Sequence, residues 1–263
     1  MRISHMQREI SWSNESQFTT AREALNYWAQ IAFLNQFAKM RLQMDVQWSS
    51  PMPSGPKIFA GNHPTTTDPF YLLTILREKT RMMVNADIFE KPVIGRLMRR
   101  GGHIPVDKKD GIHALNAGLD ALARGDNLGI FPEGSLSNIQ DGIQVNKLKT
   151  GAVRMALQAG VPLIPVGFHM PKDGMVVKHL KVGGESVESR FFLKGRYAIT
   201  VGRPLWFSGD IEDYAYVRRR SEELRERIYD LSQVSALRLR NNHPLKAEKR
   251  KKKKKSIVIE SGM

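Results

Sequence analysis

At 263 residues with 41% apolar side chains, the chain can bury a substantial core as one large domain with appendages, and its lack of cysteine removes disulfides, thiolate nucleophiles and cysteine-ligated zinc. The net charge of +15 suits a polyanionic partner, lipid or nucleic acid, and is equally that of a chain with a solubilising basic tail that has no specific partner. No run approaches the roughly 18 apolar residues of a membrane-spanning helix, and residues 1–10 lack the apolar centre of a signal peptide, so a cytosolic or peripheral protein is expected.

In chain order, residues 17–46 contain neither proline nor glycine and predict a long helix within an N-terminal helical segment over 1–50. Its apolar side chains fall in two stripes, Tyr27, Ile31, Leu34 and Ala38 on one and Phe33, Phe37, Met40 and Met44 on the other, roughly 110° apart at the helical period. One stripe suffices to dock on a core. The second leaves two options: a helix sandwiched in the core, or one that also faces lipid, an acyl chain or a partner. Between 51 and 240, strands are expected at 57–61, 81–85, 103–106, 127–131, 162–168 and 196–202, and helices at 69–78, 91–100, 111–124, 149–159 and 211–239. Strands and helices taking turns predict the α/β class, a layered sheet flanked by helices and preceded by the N-terminal amphipathic helix. The tail, 241–263, is expected to be disordered; residues 246–255 carry a charge of +7 against +8 for the rest of the chain. At roughly 1 kcal/mol per basic residue near an anionic leaflet, such a run can tether a protein to a membrane, and nucleic acid would attract it equally.

The chemistry begins at Asn62-His63-Pro64-Thr65-Thr66-Thr67-Asp68-Pro69. Residues 57–61 read as a buried strand, and Asp68-Pro69 before the apolar run 70–76 reads as a helix start, with aspartate at the N-cap and proline at the first helical position. His63 then stands at the C-terminal edge of a strand, where open α/β sheets bind ligands, with Asp68 one loop away. A carboxylate on one imidazole nitrogen fixes the tautomer and raises the basicity of the other, which can deprotonate a hydroxyl. By itself the spacing equally describes a loop histidine and a helix cap, and it leaves both readings open.

Three later segments place more polar groups at strand ends. Gly102-His103-Ile104-Pro105-Val106-Asp107-Lys108 ends in an acid and a base, and Phe131-Pro132-Glu133-Gly134-Ser135-Leu136-Ser137 leaves a strand through a Pro/Gly turn. Val161-Pro162-Leu163-Ile164-Pro165-Val166 follows the helix entry Lys147-Leu148-Lys149-Thr150-Gly151. In this order, across residues 45–205, the segments resemble the four motifs of the glycerolipid acyltransferases, the lysophosphatidic acid (1-acylglycerol-3-phosphate) acyltransferase family. Those motifs are N-H-x-x-x-x-D, a glycine-to-arginine block ending in Asp-Arg, F-P-E-G-T-R-S, and V-P-hydrophobic-hydrophobic-P-V.

The resemblance implies that His63 is a general base, removing the proton of an acceptor hydroxyl as it attacks the thioester of an acyl-coenzyme A or acyl-carrier-protein donor. Asp68 would orient and charge-stabilise the imidazole, and no cofactor beyond the acyl donor is implied. A positioned base supplies about 10²–10⁴ in rate, the rest coming from placement of the two substrates and oxyanion stabilisation. The same resemblance sets Asp107, Lys108, Glu133, Gly134, Ser135 and Lys149 around the acceptor's glycerol phosphate, with a structural, loop-organising carboxylate as the alternative role for Glu133.

Two positions depart from the pattern: Lys108 and Leu136 stand where the family has arginine. Arginine grips phosphate with a bidentate fork, lysine offers one point charge and leucine none. Either other cations hold the phosphate (Lys108, Lys109, Lys147, Lys149), or the acceptor is not the usual phosphomonoester. The expected partners are a thioester donor, a lipid acceptor and an anionic membrane surface, with the protein peripheral on the cytoplasmic inner face. Competing classes have less behind them. No G-x-S-x-G elbow makes Ser135 or Ser137 a nucleophile, and no ligand spacing makes a metal site of His63, Asp68, His103 and His113. The cluster Arg218-Arg219-Arg220 is interleaved with Glu222, Glu223 and Glu226 and has no nucleic-acid motif around it. A basic surface-binding protein without catalysis is the non-enzymatic alternative.

Overall fold

The computed structural model describes residues 21–107, 109–139, 142, 144–182 and 185–241, so Lys108 and the basic tail lie outside the described residues. The six expected strands all form: β2 (Ile58–Gly61), β3 (Thr80–Asn85), β4 (Ile104–Val106), β5 (Asn127–Ile130), β6 (Leu163–His169) and β9 (Gly195–Val201). With β1 (Leu42–Trp48) they make a seven-stranded sheet in the order β1-β9-β6-β2-β5-β3-β4. From β6 through β4 the neighbours run parallel, β9 is antiparallel to β6, and β1 is parallel to β9. A two-stranded antiparallel ribbon, β7 (Met175–Val182) and β8 (Glu185–Phe192), is inserted between β6 and β9.

Side-chain alternation splits the core into two layers, one on each face of the sheet. Phe59, Ile164, Val166, Phe168, Tyr197 and Ile199 join residues of α1 (Ala21–Arg41) and α2 (Asp68–Ile75), while Ile58, Ala60, Leu128 and Leu163 join α5 (Gly111–Ala123), α6 (Gly151–Ala159) and α7 (Tyr214–Asn241). Helix α7 lies so close to β6 that a Cβ on Gly167 would fall 2.2 Å from the backbone of Leu231 and Ser232. Glycine is required there, and the Ser235 hydroxyl donates to the Gly167 carbonyl at 2.9 Å.

Two expectations need correction. The helix predicted over 17–46 ends at Arg41, and residues 42–48 become the edge strand β1. From Leu42 the period changes from 3.6 to 2: Leu42, Met44 and Val46 face the core cluster between polar Gln43, Asp45 and Gln47. Met44 therefore leaves the second stripe of α1, whose Phe33 and Met40 are 72% and 67% exposed, whereas Tyr27, Ile31 and Ala38 of the first are buried. The helix predicted over 91–100 starts only at Ile94, after Pro92, as α4 (Ile94–Arg100), and a separate short helix, α3 (Ala86–Phe89), precedes it. Among the described residues no helix is long and apolar enough to cross a membrane.

Candidate active site

Because β2, β5 and β6 are parallel neighbours, the loops that leave their C-terminal ends meet at one edge of the sheet. The antiparallel β9 begins at that same edge, with Ala198 opposite His169. His63 follows β2, the Phe131–Ser137 loop follows β5, and Tyr197 opens β9. Asn62 fastens β2 to β6 by accepting from the Phe168 N–H at 2.7 Å and donating to the Phe168 carbonyl at 3.1 Å.

The His63 ring is gripped on three sides. Nδ1 is 3.1 Å from Asp68 Oδ2, and the ring stacks on Phe131 at 4.3 Å between centroids. Its backbone N–H donates to Glu133 Oε1 at 2.9 Å and Ser137 Oγ at 2.8 Å, while its carbonyl accepts from the Ser137 N–H at 2.8 Å. The carboxylate facing Nδ1 selects the tautomer with the proton on that nitrogen, leaving Nε2 with a lone pair for a substrate proton. The side chain is 19% exposed, enough for contact with a ligand.

Asp68 is the first residue of α2, one place inside the expected N-cap; Thr67 holds that cap position, without a side-chain capping bond. The Asp68 carboxylate turns back onto its own loop instead. It is fully buried and accepts from the Thr65 N–H at 2.7 Å, from the Thr65 hydroxyl, and from the Tyr197 hydroxyl at 2.6 Å. A buried carboxylate survives only with its lone pairs occupied, and these donors together with His63 meet that demand. Burial, followed by the negative charge of Asp68, pushes the Tyr197 phenol well above its usual range, which keeps it a donor.

Glu133 is buried, and burial raises its carboxyl pKa while donors pull the other way. Ser137 Oγ donates to Oε1 at 2.5 Å, alongside the His63 N–H, and the Asn146 N–H donates to Oε2 at 2.7 Å. Both its oxygens are engaged inside the loops, the geometry of an organising carboxylate. Gly134 adopts φ +69°, and a Cβ there would lie 2.7 Å from Lys149 Cε, so the lysine side chain crosses directly over the turn. Ser135 is exposed beside it. Glu133, Gly134 and Lys149 are thus brought together next to His63. Asp107 is exposed at the end of the edge strand β4, with Oδ1 accepting from the Lys109 N–H at 2.8 Å. Since β4 is three strands from β2, it stands roughly 14 Å across the sheet.

Three contributors carry no motif or pattern that marks them. Tyr197 sits in an expected strand but carries no motif, Asn146 belongs to an irregular loop, and Arg190 lies on the unforeseen ribbon. Arg190 Nη2 donates to the Ser137 carbonyl at 2.7 Å, and the Arg190 carbonyl accepts from the Thr66 N–H at 2.7 Å, so β8 is tied to both catalytic-edge loops. Tyr71 and Thr67 reach Phe192 on the same strand.

Comparison with known proteins agrees with this geometry. The Acyltransferase family model matches residues 43–169. The chain is 28% identical over 144 residues to the chloroplastic 1-acyl-sn-glycerol-3-phosphate acyltransferase BAT2 of Brassica napus, covering 53% of this chain and 39% of that protein. It is 32% identical over 136 residues to a lyso-ornithine lipid O-acyltransferase of Pseudomonas aeruginosa, with 51% of each covered. The chain thus spans about half or less of the length of these two curated relatives. Its fold is that of the 1-acyl-sn-glycerophosphate acyltransferase PlsC from Thermotoga maritima, with a TM-score of 0.52 at 22% identity over 79% of this chain and 85% of the other. The matched region begins in β1 and runs through His63, Asp68 and the 131–137 loop to the end of β6, and over it the chain is similar to the glycerolipid acyltransferases.

Proposed function

We propose that this protein is an O-acyltransferase that moves a fatty acyl group from a coenzyme A or carrier-protein thioester to the hydroxyl of a lysophosphatidate-like lipid. The observation that carries this reading is the His63 Nδ1 to Asp68 Oδ2 contact of 3.1 Å, backed by a carboxylate that its own loop and Tyr197 hold in place. In the proposed step, His63 Nε2 takes the hydroxyl proton as the acceptor oxygen adds to the thioester carbonyl. Asp68 stabilises the resulting imidazolium. That addition makes the ester C–O bond and leaves an oxyanion; collapse of the tetrahedral adduct restores the carbonyl and breaks C–S, and the departing thiolate takes the proton back from His63 to leave as a thiol.

Work at a membrane surface fits the exposed apolar side of α1, where Leu25, Phe33 and Met40 are 71%, 72% and 67% exposed, and the net charge of +15. We place the protein peripherally on the anionic inner face. Leu136 in place of the family's arginine favours a second reading of the acceptor, a lysolipid lacking the phosphomonoester, and a relative named for lyso-ornithine lipid is consistent with it.

The test is acyl transfer from one labelled thioester to a panel of lysophospholipids and non-phosphorylated hydroxylated lipids, by the natural sequence and by His63→Ala. The variant is expected to lose about 10²–10⁴ in rate with an unchanged far-UV spectrum and melting temperature. Full activity in His63→Ala would remove the proposed mechanism.

A further inference from the structure

The loop that follows β5 lacks an arginine of its own at Leu136, yet an arginine reaches that loop from elsewhere. Arg190, on β8, is 5% exposed and donates from Nη2 to the Ser137 carbonyl at 2.7 Å, one residue beyond Leu136. Ser137 in turn exchanges hydrogen bonds with the backbone of His63 in both directions. Arg190 is therefore one bonded residue removed from the catalytic histidine, on the element that also braces the Thr65–Asp68 loop.

The guanidinium is under-satisfied where it sits. Nε and Nη1, which present three N–H donors, have no hydrogen-bond partner among the described residues. Glu188 Oε1 lies 3.2 Å from Nε and balances charge without a directed hydrogen bond, and that glutamate is itself 53% exposed. Burying a guanidinium with most of its donors idle is expensive, and a residue needed only to staple the Ser137 carbonyl would do so at lower cost as a neutral donor. Burial lowers the pKa of this guanidinium from its usual value, and Glu188, Asp68 and Glu133 oppose that shift only in part.

We propose that Arg190 is the anion-recognition residue of the acceptor site, using its idle Nη1 and Nε donors to bind an oxyanion of the acceptor headgroup, and so replaces from the β7–β8 ribbon the fork that Leu136 cannot supply. This rests on the acyltransfer reading above. The planar fork suits a phosphate and a carboxylate equally, so the shared chemistry is an oxyanion on a lysolipid. Arg190 is then a specificity-determining residue, and the positive charge it brings lies beside the reacting hydroxyl.

Arg190→Gln keeps an amide donor for the Ser137 carbonyl and loses the charge and the fork; Arg190→Lys keeps the charge without the fork. Kinetics are measured on the full chain with lysophosphatidate and, in parallel, with a lysolipid whose only anion is a carboxylate. Both variants are expected to raise KM for the anionic acceptor by about 10–100-fold, with KM for the thioester donor unchanged. The acceptor whose KM rises identifies which oxyanion is read. A drop in kcat with the acceptor KM unchanged in both variants would make Arg190 a structural staple and overturn the proposal. Direct titration of glycerol 3-phosphate and of a short carboxylate headgroup, followed by calorimetry, needs no turnover. An enzyme that binds a headgroup through Arg190 but transfers no acyl group would keep this inference and sink the acyltransfer reading. One that transfers acyl groups but binds each headgroup equally well in Arg190→Gln would do the reverse. If Arg190→Gln does not fold, Arg190→Lys carries the same two measurements.

Discussion

The two ends of the central strands bury the same kinds of side chain to opposite purposes. Where β2, β3 and β5 begin, Lys57 pairs with Glu78 at 2.5 Å, and fully buried Asp126 meets Lys79 at 3.4 Å as well as Arg81. Glu23 of α1 closes the group, 3.0 Å from Lys79 and 3.3 Å from Arg81. Cation answers carboxylate throughout, and the network joins α1 to three strands. Where the strands end, the carboxylate of Asp68 is answered by hydroxyls, an amide and an imidazole, and the one deeply buried cation, Arg190, keeps donors in reserve. The comparison teaches that charge satisfied internally fastens the sheet, whereas charge left partly unanswered is available to a substrate.

Substitutions should separate these two roles. The largest effect is expected from Asp126→Ala, which removes the fully buried acid between Lys79 and Arg81 and leaves them sharing the partly exposed Glu23. Glu23 still pairs with both cations, so the loss should be about 3 kcal/mol by urea denaturation, with the activity per folded molecule retained. Lost turnover at full stability would reverse the assignment.

Next in size is a pH effect beside that network. His103 accepts from the Met82 N–H at 3.0 Å, and burial, then Arg81, push its pKa from 6.5 to about 4. The folded protein thus holds this ring neutral while the unfolded chain protonates it. Stability is full above about pH 6.5 and declines as pH falls toward 4, by about 3 kcal/mol from this residue. Urea midpoints for His103→Gln should fall less steeply across that window than those of the natural sequence; identical slopes would count against a buried neutral histidine.

The smallest effect lies at the catalytic edge. Tyr197→Phe removes one of the donors to Asp68 and should cost about 1–2 kcal/mol. Its kcat should fall by up to about tenfold with both KM values unchanged. A change in KM instead would place Tyr197 in contact with substrate.

Most of the sheet could be read from the chain because its strands are short apolar runs between turns, and His63 and Asp68 could be read because five residues suffice to bring them together. What escaped has a physical explanation in each case. β1 follows α1 without any proline or glycine, so the only mark of the boundary is a change of period at Leu42, too short-lived to stand out against the helix before it. The β7–β8 ribbon exposes Val176, Val177 and Val187 alongside charged residues and so lacks the clean alternation of a half-buried strand. Tyr197 lies 129 residues beyond Asp68, and Arg190 lies 53 beyond Ser137. Their roles arise from the antiparallel return of β9 and the ribbon before it, which no local pattern encodes. The donors that occupy the Glu133 oxygens, Ser137, the His63 N–H and the Asn146 N–H, come from three separate positions that no residue-type pattern announces.

The reciprocal bonds between the His63 backbone and Ser137, one to its hydroxyl and one from its N–H, also bear on the order in which the site assembles. They join positions 74 apart, and the supports for Asp68 and the 131–137 loop arrive later still, with Arg190 and Tyr197. During synthesis the histidine leaves the ribosome more than a hundred residues ahead of the tyrosine that completes its setting. A chain still short of Arg190 and Tyr197 holds His63 and Asp68 without their later supports. Under the proposed mechanism, acyl transfer by such an incomplete chain would be weakened until the last strand of the sheet is in place.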